Sequence, residues 1–288
     1  MPRFWIYFLL PLMVFAVPAP ANRLPSTPFI SGDTFRFFAD FVFDELDTSL
    51  DPEKVSSGNT VFVKTDYLGK FFQEIHPRIK HPYILISHNS DDPAPGPYGM
   101  YLDHPNLKAW FAQNYDGYKH PKIHPIPIGL ANSHWPHGNF HTVQKIQEKT
   151  INKKHLAYMN IAVGTYLPER KLVYTLLKNK RFCYQSSEKK YADFLKDLKS
   201  STFAVAPRGN GLDTHRFWEA LLMGTIPIVK TSPLDSMYEG LPVLVISDWH
   251  EVTEQFLRQK EAEIKHKPVL SEKLYIDYWL SLIDQQKE

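Results

Sequence analysis

Between Phe203 and Val229 the chain reads FAVAPRGNGLDTHRFWEALLMGTIPIV, and no other stretch limits its folding choices as tightly. Phe203 to Ala206 is short and apolar, as a buried strand is, and Pro207 ends it because proline brings no N–H to a ladder. Gly209 and Gly211 permit positive φ and close backbone approach, and Asp213 or Thr214 supplies a helix cap. Phe217, Leu221 and Leu222 then recur at helical spacing. Gly224 closes the helix, and the apolar segment Thr225 to Val229 returns as a parallel strand beside the first.

This strand, glycine loop, helix and strand carry a chemical expectation. A helix N-terminus offers unpaired N–H groups and a partial positive charge, so the turn at 209–214 favours an anion. Arg208 stands beside it. Arg216 and Glu219, three residues apart, project from one helix face toward the same end of the sheet. An arginine fork suits a diphosphate and a carboxylate accepts from two ribose hydroxyls, so the set points to a nucleoside diphosphate. An ordinary helix-surface ion pair is the plainer alternative for Arg216 and Glu219. The dinucleotide fingerprint is not met, because Thr214 stands where its third glycine belongs, and no lysine followed by Ser or Thr completes a P-loop.

Composition bounds the rest. At 288 residues, 43% hydrophobic and 22% charged, the chain is ordinary globular material for one large or two small domains. A net charge of +2 provides no broad basic field, which argues against a nucleic-acid partner. The single Cys183, between Phe182 and Tyr184, makes no internal disulfide and reads as a small core residue. Arg3 precedes the apolar run Phe4 to Val17, and Ala19-Pro20-Ala21 resembles a cleavage site, so residues 1–21 are expected to be a signal peptide. A short type II membrane anchor is the alternative. The expected location is the secretory pathway or beyond: an ER or Golgi lumen, a periplasm or the extracellular space. Membrane contact is expected only through the targeting segment.

The mature chain divides near residue 150. In the N-terminal part, 22–150, Thr60 to Val63 and Tyr83 to Ser87 read as buried strands, and Ile123 to Ile128 as a proline-interrupted strand near an edge. The polar, basic stretch 142–154 reads as a connection. In the C-terminal part, 151–288, a strand at Leu156 to Ile161 precedes a helix from Pro168 to Asn179 and an amphipathic helix carrying Tyr191, Phe194, Leu195 and Leu198. This alternation predicts an open parallel α/β sheet with its ligand crevice at the carboxyl ends of the strands. A last helix with Tyr275, Tyr278 and Trp279 is expected to pack back on the N-terminal half.

The segment PRGNGLDTHRFWEALLMGTIPIV, followed by LPVLVISDW at Leu241 to Trp249, resembles the donor-binding segment of the exostosin-like glycosyltransferases, over about residues 156–260. Alpha-1,3-fucosyltransferases, which would take a GDP-sugar, show a similar helix-then-strand signature. The resemblance implies a GT-B-like fold: two Rossmann-like domains facing across a cleft, with the nucleotide held mostly by the C-terminal one. It implies inverting transfer from a nucleotide-sugar, a UDP-sugar first, to a glycan or protein-linked acceptor. Arg208, Arg216 and Glu219 would contact the donor, with Gly209, Asn210, Gly211 and His215 beside them. No Asp-x-Asp pair occurs, so arginines would take the place of a divalent metal, and no cofactor is expected beyond the nucleotide-sugar co-substrate. A secreted protein that binds carbohydrate or nucleotide without turnover is the rival from another class.

Inverting transfer also needs a base for the acceptor hydroxyl. The segment ILISHNSDDPAPGPYG sets His88, Asp91 and Asp92 directly after a strand, and these are the candidates; simple turn chemistry explains the same residues. Asp33, in Ser31-Gly32-Asp33, is a further one. His134, His137 and His141 have spacings known from zinc-binding helices, but Pro136 and Gly138 oppose a helix there. Trp110, Trp135 and Trp249 suit either stacking on a sugar or base, or the core.

Overall fold

The computed structural model describes residues 23–265 and 270–287, so the expected signal peptide lies outside the described residues. Strands β1 (Phe41–Phe43), β2 (Thr60–Lys64), β3 (Tyr83–His88), β4 (Leu107–Ala112) and β5 (Ile123–Pro125) form one parallel sheet in chain order. Strands β6 (His155–Met159), β7 (Cys183–Gln185), β8 (Ser201–Val205), β9 (Ile226–Lys230) and β10 (Leu244–Ile246) form a second. Its order is β10-β9-β8-β6-β7, again with every pairing parallel. The molecule is thus α/β with two five-stranded parallel sheets, the GT-B-like class expected from the sequence.

Parallel strands are buried on both faces, which is why β2 and β3 read as unbroken apolar runs. Because parallel crossovers are right-handed, a sheet built in chain order carries all its connections on one face. In the first sheet that face presents Val61, Val63, Leu85 and Trp110 to Phe71, Phe72, Ile75 and Leu102. The connection there is a short helix, α2 (Leu68–Lys70), continuing into a π-turn at Phe71–Ile75. The opposite face presents Phe62, Ile84, Ile86 and Phe111. Among the described residues, Phe35 of α1 (Gly32–Phe38) and loop residues such as Ile30 and Ile126 cover it from the same half.

Six more helices follow: α3 (Phe140–Gln147), α4 (Leu167–Leu177), α5 (Tyr191–Lys199), α6 (His215–Leu222), α7 (Glu254–Lys265) and α8 (Ile276–Asp284). Val173 and Leu177 of α4 and Leu257 and Ile264 of α7 pack on one face of the second sheet. Residues of α3, α5 and α6 pack on the other. Two helices also reach the first sheet: Phe217, Trp218 and Leu221 of α6, and Ile276, Trp279 and Ile283 of α8, join Phe62, Ile84 and Phe111 in one core. The stretch 142–154 is only partly a connection. Asn139 caps α3 by accepting from the Thr142 N–H at 3.0 Å, and Val143 and Ile146 are buried with Leu195 and Leu222. Among the described residues no helix is long and apolar enough to cross a membrane.

Candidate functional site

The order of the second sheet reverses between β6 and β8, and a parallel sheet opens a crevice at the carboxyl ends of such strands. The loop after β8 is the glycine run, and it leads to α6. Thr214 is the N-cap by backbone geometry, without a side-chain bond, and Gly224 at φ +64° follows the helix end. Of the two uses open to Gly209 and Gly211, positive φ and close backbone approach, neither residue takes the first. What they supply is room. A Cβ on Gly211 would overlap the Asn114 amide, and one on Gly209 would stand 3.3 Å from an Arg170 guanidinium nitrogen.

Two cavities flank the start of α6. The smaller, about 270 Å³, is lined by Tyr166, Glu169, Arg208, Thr214, Lys230 and Tyr238 among others. Arg208 lies over the Tyr166 ring at 4.3 Å and donates to the Asn210 carbonyl at 2.7 Å, so its guanidinium is held at the cavity wall. Glu169 accepts from the Trp249 indole at 2.9 Å. Arg170, which the sequence did not single out, is buried and donates to the carbonyls of Arg208 (2.7 Å) and Ala162 (3.0 Å). It clamps the two loops that flank the crevice; burial, with Arg216 nearby, lowers its pKa to about 10.

The larger cavity, about 410 Å³, lies at the carboxyl ends of the first sheet and takes in His88, Asn89, Asp91, Asn132, His134 and, from α6, His215. Gly32 is obligatory here, since a Cβ would collide with the Asn89 amide and the His88 ring. Asn89 (φ 62°) and Asn114 (φ 54°), at the ends of neighbouring strands, both hold the left-handed conformation uncommon outside glycine. Their side chains explain it. Asn89 accepts from Asn132 at 2.8 Å, and Asn114 donates to the Ser90 carbonyl at 3.0 Å while accepting the Asp213 N–H at 3.0 Å.

The expected base candidates separate. Both ring nitrogens of buried His88 are engaged, Nδ1 accepting the Asn89 N–H at 2.7 Å and Nε2 paired with the Pro127 carbonyl at 3.0 Å. Burial holds it neutral, with a pKa of about 4. Asp91 sits at the cavity mouth and accepts from Asn210 at 3.1 Å, which ties the glycine loop across to the first sheet. Asp92 is exposed, lines neither cavity, and its N–H closes a turn on the Ser90 hydroxyl at 3.1 Å. His215 donates from Nδ1 to the Gly129 carbonyl at 2.8 Å, and burial lowers its pKa to about 4.

Arg216 and Glu219 line neither cavity. Glu219 is buried between Arg216 and Tyr191 of α5, and burial raises its carboxyl to about 7. Arg216 lies near Arg170 and Glu219, and its buried Nε has no hydrogen-bond partner. Shared spacing does put the two on one face, but that face looks into the protein. Asp213 is a structural clamp: buried, it accepts from the Ile128 N–H at 2.7 Å and from the Trp218 indole at 2.9 Å, and burial raises it to about 6.

Asp33 is fully buried and pairs with Arg23 at 3.0 Å; burial raises its pKa against the pull of Arg23. Its second oxygen faces His134 Nδ1 at 3.7 Å and has no hydrogen-bond partner. His134 and His137 lie in a loop and His141 opens α3, exposed. Among the described residues no group of three or more His, Cys, Asp or Glu is placed to hold a metal ion. Trp110 and Trp249 are core, whereas Trp135 is 55% exposed on the larger cavity's rim. Cys183 is buried in β7, its thiol pushed up to about 12 by burial.

No family model matches the chain, and no curated protein matches it either. Among solved structures it aligns with a GtfA/B complex at 10% identity, TM-score 0.41, over 81% of this chain and 58% of that one. The pneumococcal O-GlcNAc transferase GtfA in complex with UDP and GlcNAc aligns at 10% identity, TM-score 0.38, over 81% and 57%. OtsA in its apo form aligns at 10% identity, TM-score 0.40, over 82% and 70%. The chain spans 58% and 57% of the length of the first two. The chemistry therefore rests on the residues of the two cavities.

Proposed function

We propose that the protein is an inverting glycosyltransferase that moves a sugar from a nucleotide-sugar, a UDP-sugar first, to a glycan or protein-linked acceptor, with arginine in place of a divalent metal. The observation that carries this is the position of α6. Its N-terminus stands between two polar cavities, Thr214 lining one and His215 the other, at the carboxyl ends of two parallel sheets. A diphosphate at that N-terminus meets unpaired N–H groups and Arg208. The nucleoside then occupies the smaller cavity, stacked near Tyr166 and Arg208, with the free oxygen of Glu169 available to a ribose hydroxyl. The sugar and the acceptor share the larger one. In this arrangement Glu169 takes the ribose role that the sequence suggested for Glu219, and Arg216 supports the phosphate site electrostatically from below.

Thermal unfolding with UDP or GDP, each with EDTA, tests the reading. A ligand at about 100 times its dissociation constant adds about 2.7 kcal/mol of stability. UDP is expected to stabilise the wild type, and Arg208→Ala to weaken that binding by about 1.5–3 kcal/mol, the worth of charge-assisted hydrogen bonds. Stabilisation by GDP alone would move the reading to a fucosyltransferase-like enzyme. Binding of UDP without release of UDP from any UDP-sugar would leave a non-catalytic binding protein, and no response to either nucleotide would sink the proposal.

A further inference from the structure

We infer that His134, backed by Asp33, is the base that accepts the proton of the incoming hydroxyl, an assignment that rests on the glycosyltransferase reading above. The larger cavity holds several groups able to take a proton, and their surroundings separate them. His88 has both nitrogens committed. Asp91 is held at the mouth by Asn210. Glu45 is paired with both Arg23 and Lys64. His215 stands on the positive end of α6 beside Arg216, where a protonated ring is disfavoured.

His134 differs from all of them. Its ring borders the cavity with a side-chain exposure of 26%, and its Nδ1 faces an Asp33 oxygen at 3.7 Å. That oxygen is buried and lacks a hydrogen-bond partner, while the other oxygen of the same carboxylate is taken by Arg23 at 3.0 Å and Asn89 at 3.4 Å. An unpaired buried carboxylate oxygen is costly, and one aimed at a histidine becomes favourable when that histidine gains charge. The carboxylate is anchored independently of the ring, since its own backbone N–H donates to Asn132 at 2.9 Å. Asp33 is therefore a positioning and charge-stabilising residue, and His134 the catalytic one.

The step balances as follows. The acceptor oxygen forms a bond to the anomeric carbon as the bond from that carbon to the diphosphate oxygen breaks. The bonding pair leaves with the nucleoside diphosphate. The acceptor proton passes to His134 Nε2, whose imidazolium is stabilised by Asp33 across Nδ1 and later returns the proton to water. The charged and titratable groups that line the cavity with the pair are Arg23, Glu45, Lys64, His88, Asp91 and His215.

The test uses the whole protein and follows UDP release from UDP-N-acetylglucosamine, UDP-galactose and UDP-glucuronate with water as acceptor, alongside stabilisation by UDP. His134→Gln is expected to lower kcat about a hundredfold or more, with UDP stabilisation retained, and imidazole is expected to restore part of the activity of His134→Ala. Asp33→Asn is expected to lower kcat with little change in KM, and to add little to the loss in the double variant with His134→Gln, because the carboxylate acts through the ring. Should Asp33→Asn fail to fold, the imidazole rescue decides. Activity of His134→Gln within threefold of wild type, or losses that multiply in the double variant, overturns the base assignment while leaving the transferase intact. A wild type that neither binds UDP nor releases it overturns both.

Discussion

In the first sheet the strands follow one another in chain order, whereas in the second the order reverses between β6 and β8. The reversal sends connections to both faces, so the second sheet is covered on each side by helices from its own half, with α3 completing one side. The first sheet has no reversal. One of its faces is closed largely by α6 and α8, which arrive from more than a hundred residues away. The lesson is one of unequal dependence: the N-terminal half takes two helices from the other half to close one face, and the C-terminal half takes α3, with Phe29 and Leu130, on one side.

The largest test of that dependence is Trp279→Ala. Emptying a buried tryptophan site costs about 3–5 kcal/mol, and hydrogen exchange should show amides of β2–β4 losing protection before those of β6 and β8. Loss that begins in β6 and β8 would break the comparison. Next in size is Asp213→Asn, which replaces an acceptor shared by Ile128 of one half and Trp218 of the other. A cost of about 1–3 kcal/mol is expected from the mismatched buried donors, read by urea unfolding. An unchanged midpoint would remove Asp213 as the clamp. Gly211→Ala forces a Cβ against Asn114 and should cost about 1 kcal/mol, at the low end for overpacking because that side chain can shift. Its sharper signature is weaker UDP stabilisation.

The last effect is one of sign. His76, in the core of the first sheet, is lowered by burial to about 4 from 6.5. The unfolded chain then binds the extra proton between those values, so this group makes stability fall as pH drops from 6.5 toward 4. Glu219, inside the second half, is raised by burial to about 7 from 4.5. The folded chain holds the extra proton, so stability falls as pH rises from 4.5 through 7. His76→Gln and Glu219→Gln should flatten the pH dependence of the unfolding midpoint in opposite directions. Two changes of the same sign would contradict both burial assignments.

The unit β8–α6–β9 was legible because its punctuation is local: Pro207 stops a strand and Gly224 stops a helix. Strands β1 and β4 were not. The first has three residues, and the second carries Lys108 and a tryptophan whose indole needs the Ser87 hydroxyl, 2.8 Å away, to be buried. Cavity-lining residues were readable at or just after a strand end, as His88, Asp91 and Arg208 are. Pairings were not, because they join distant loops: Asp33 meets Asn132 and His134 about a hundred residues on. Glu219 shows the limit of periodicity. Spacing gives the angle between two side chains, but which way their shared face looks depends on α6 lying between two sheets.

That placement of α6 also fixes the two halves to each other. Its Ala220 and Leu222 rest with the second half, while Phe217 and Trp218 are set among the side chains of the first. A clamshell rotation of one half about the other would have to draw this wedge out of an aromatic cluster. At the rim the tie between the halves is of another kind, an exposed hydrogen bond from Asn210 of the glycine loop to Asp91. The halves are therefore joined underneath by packed rings that exclude water and at the mouth by a polar contact that water can replace.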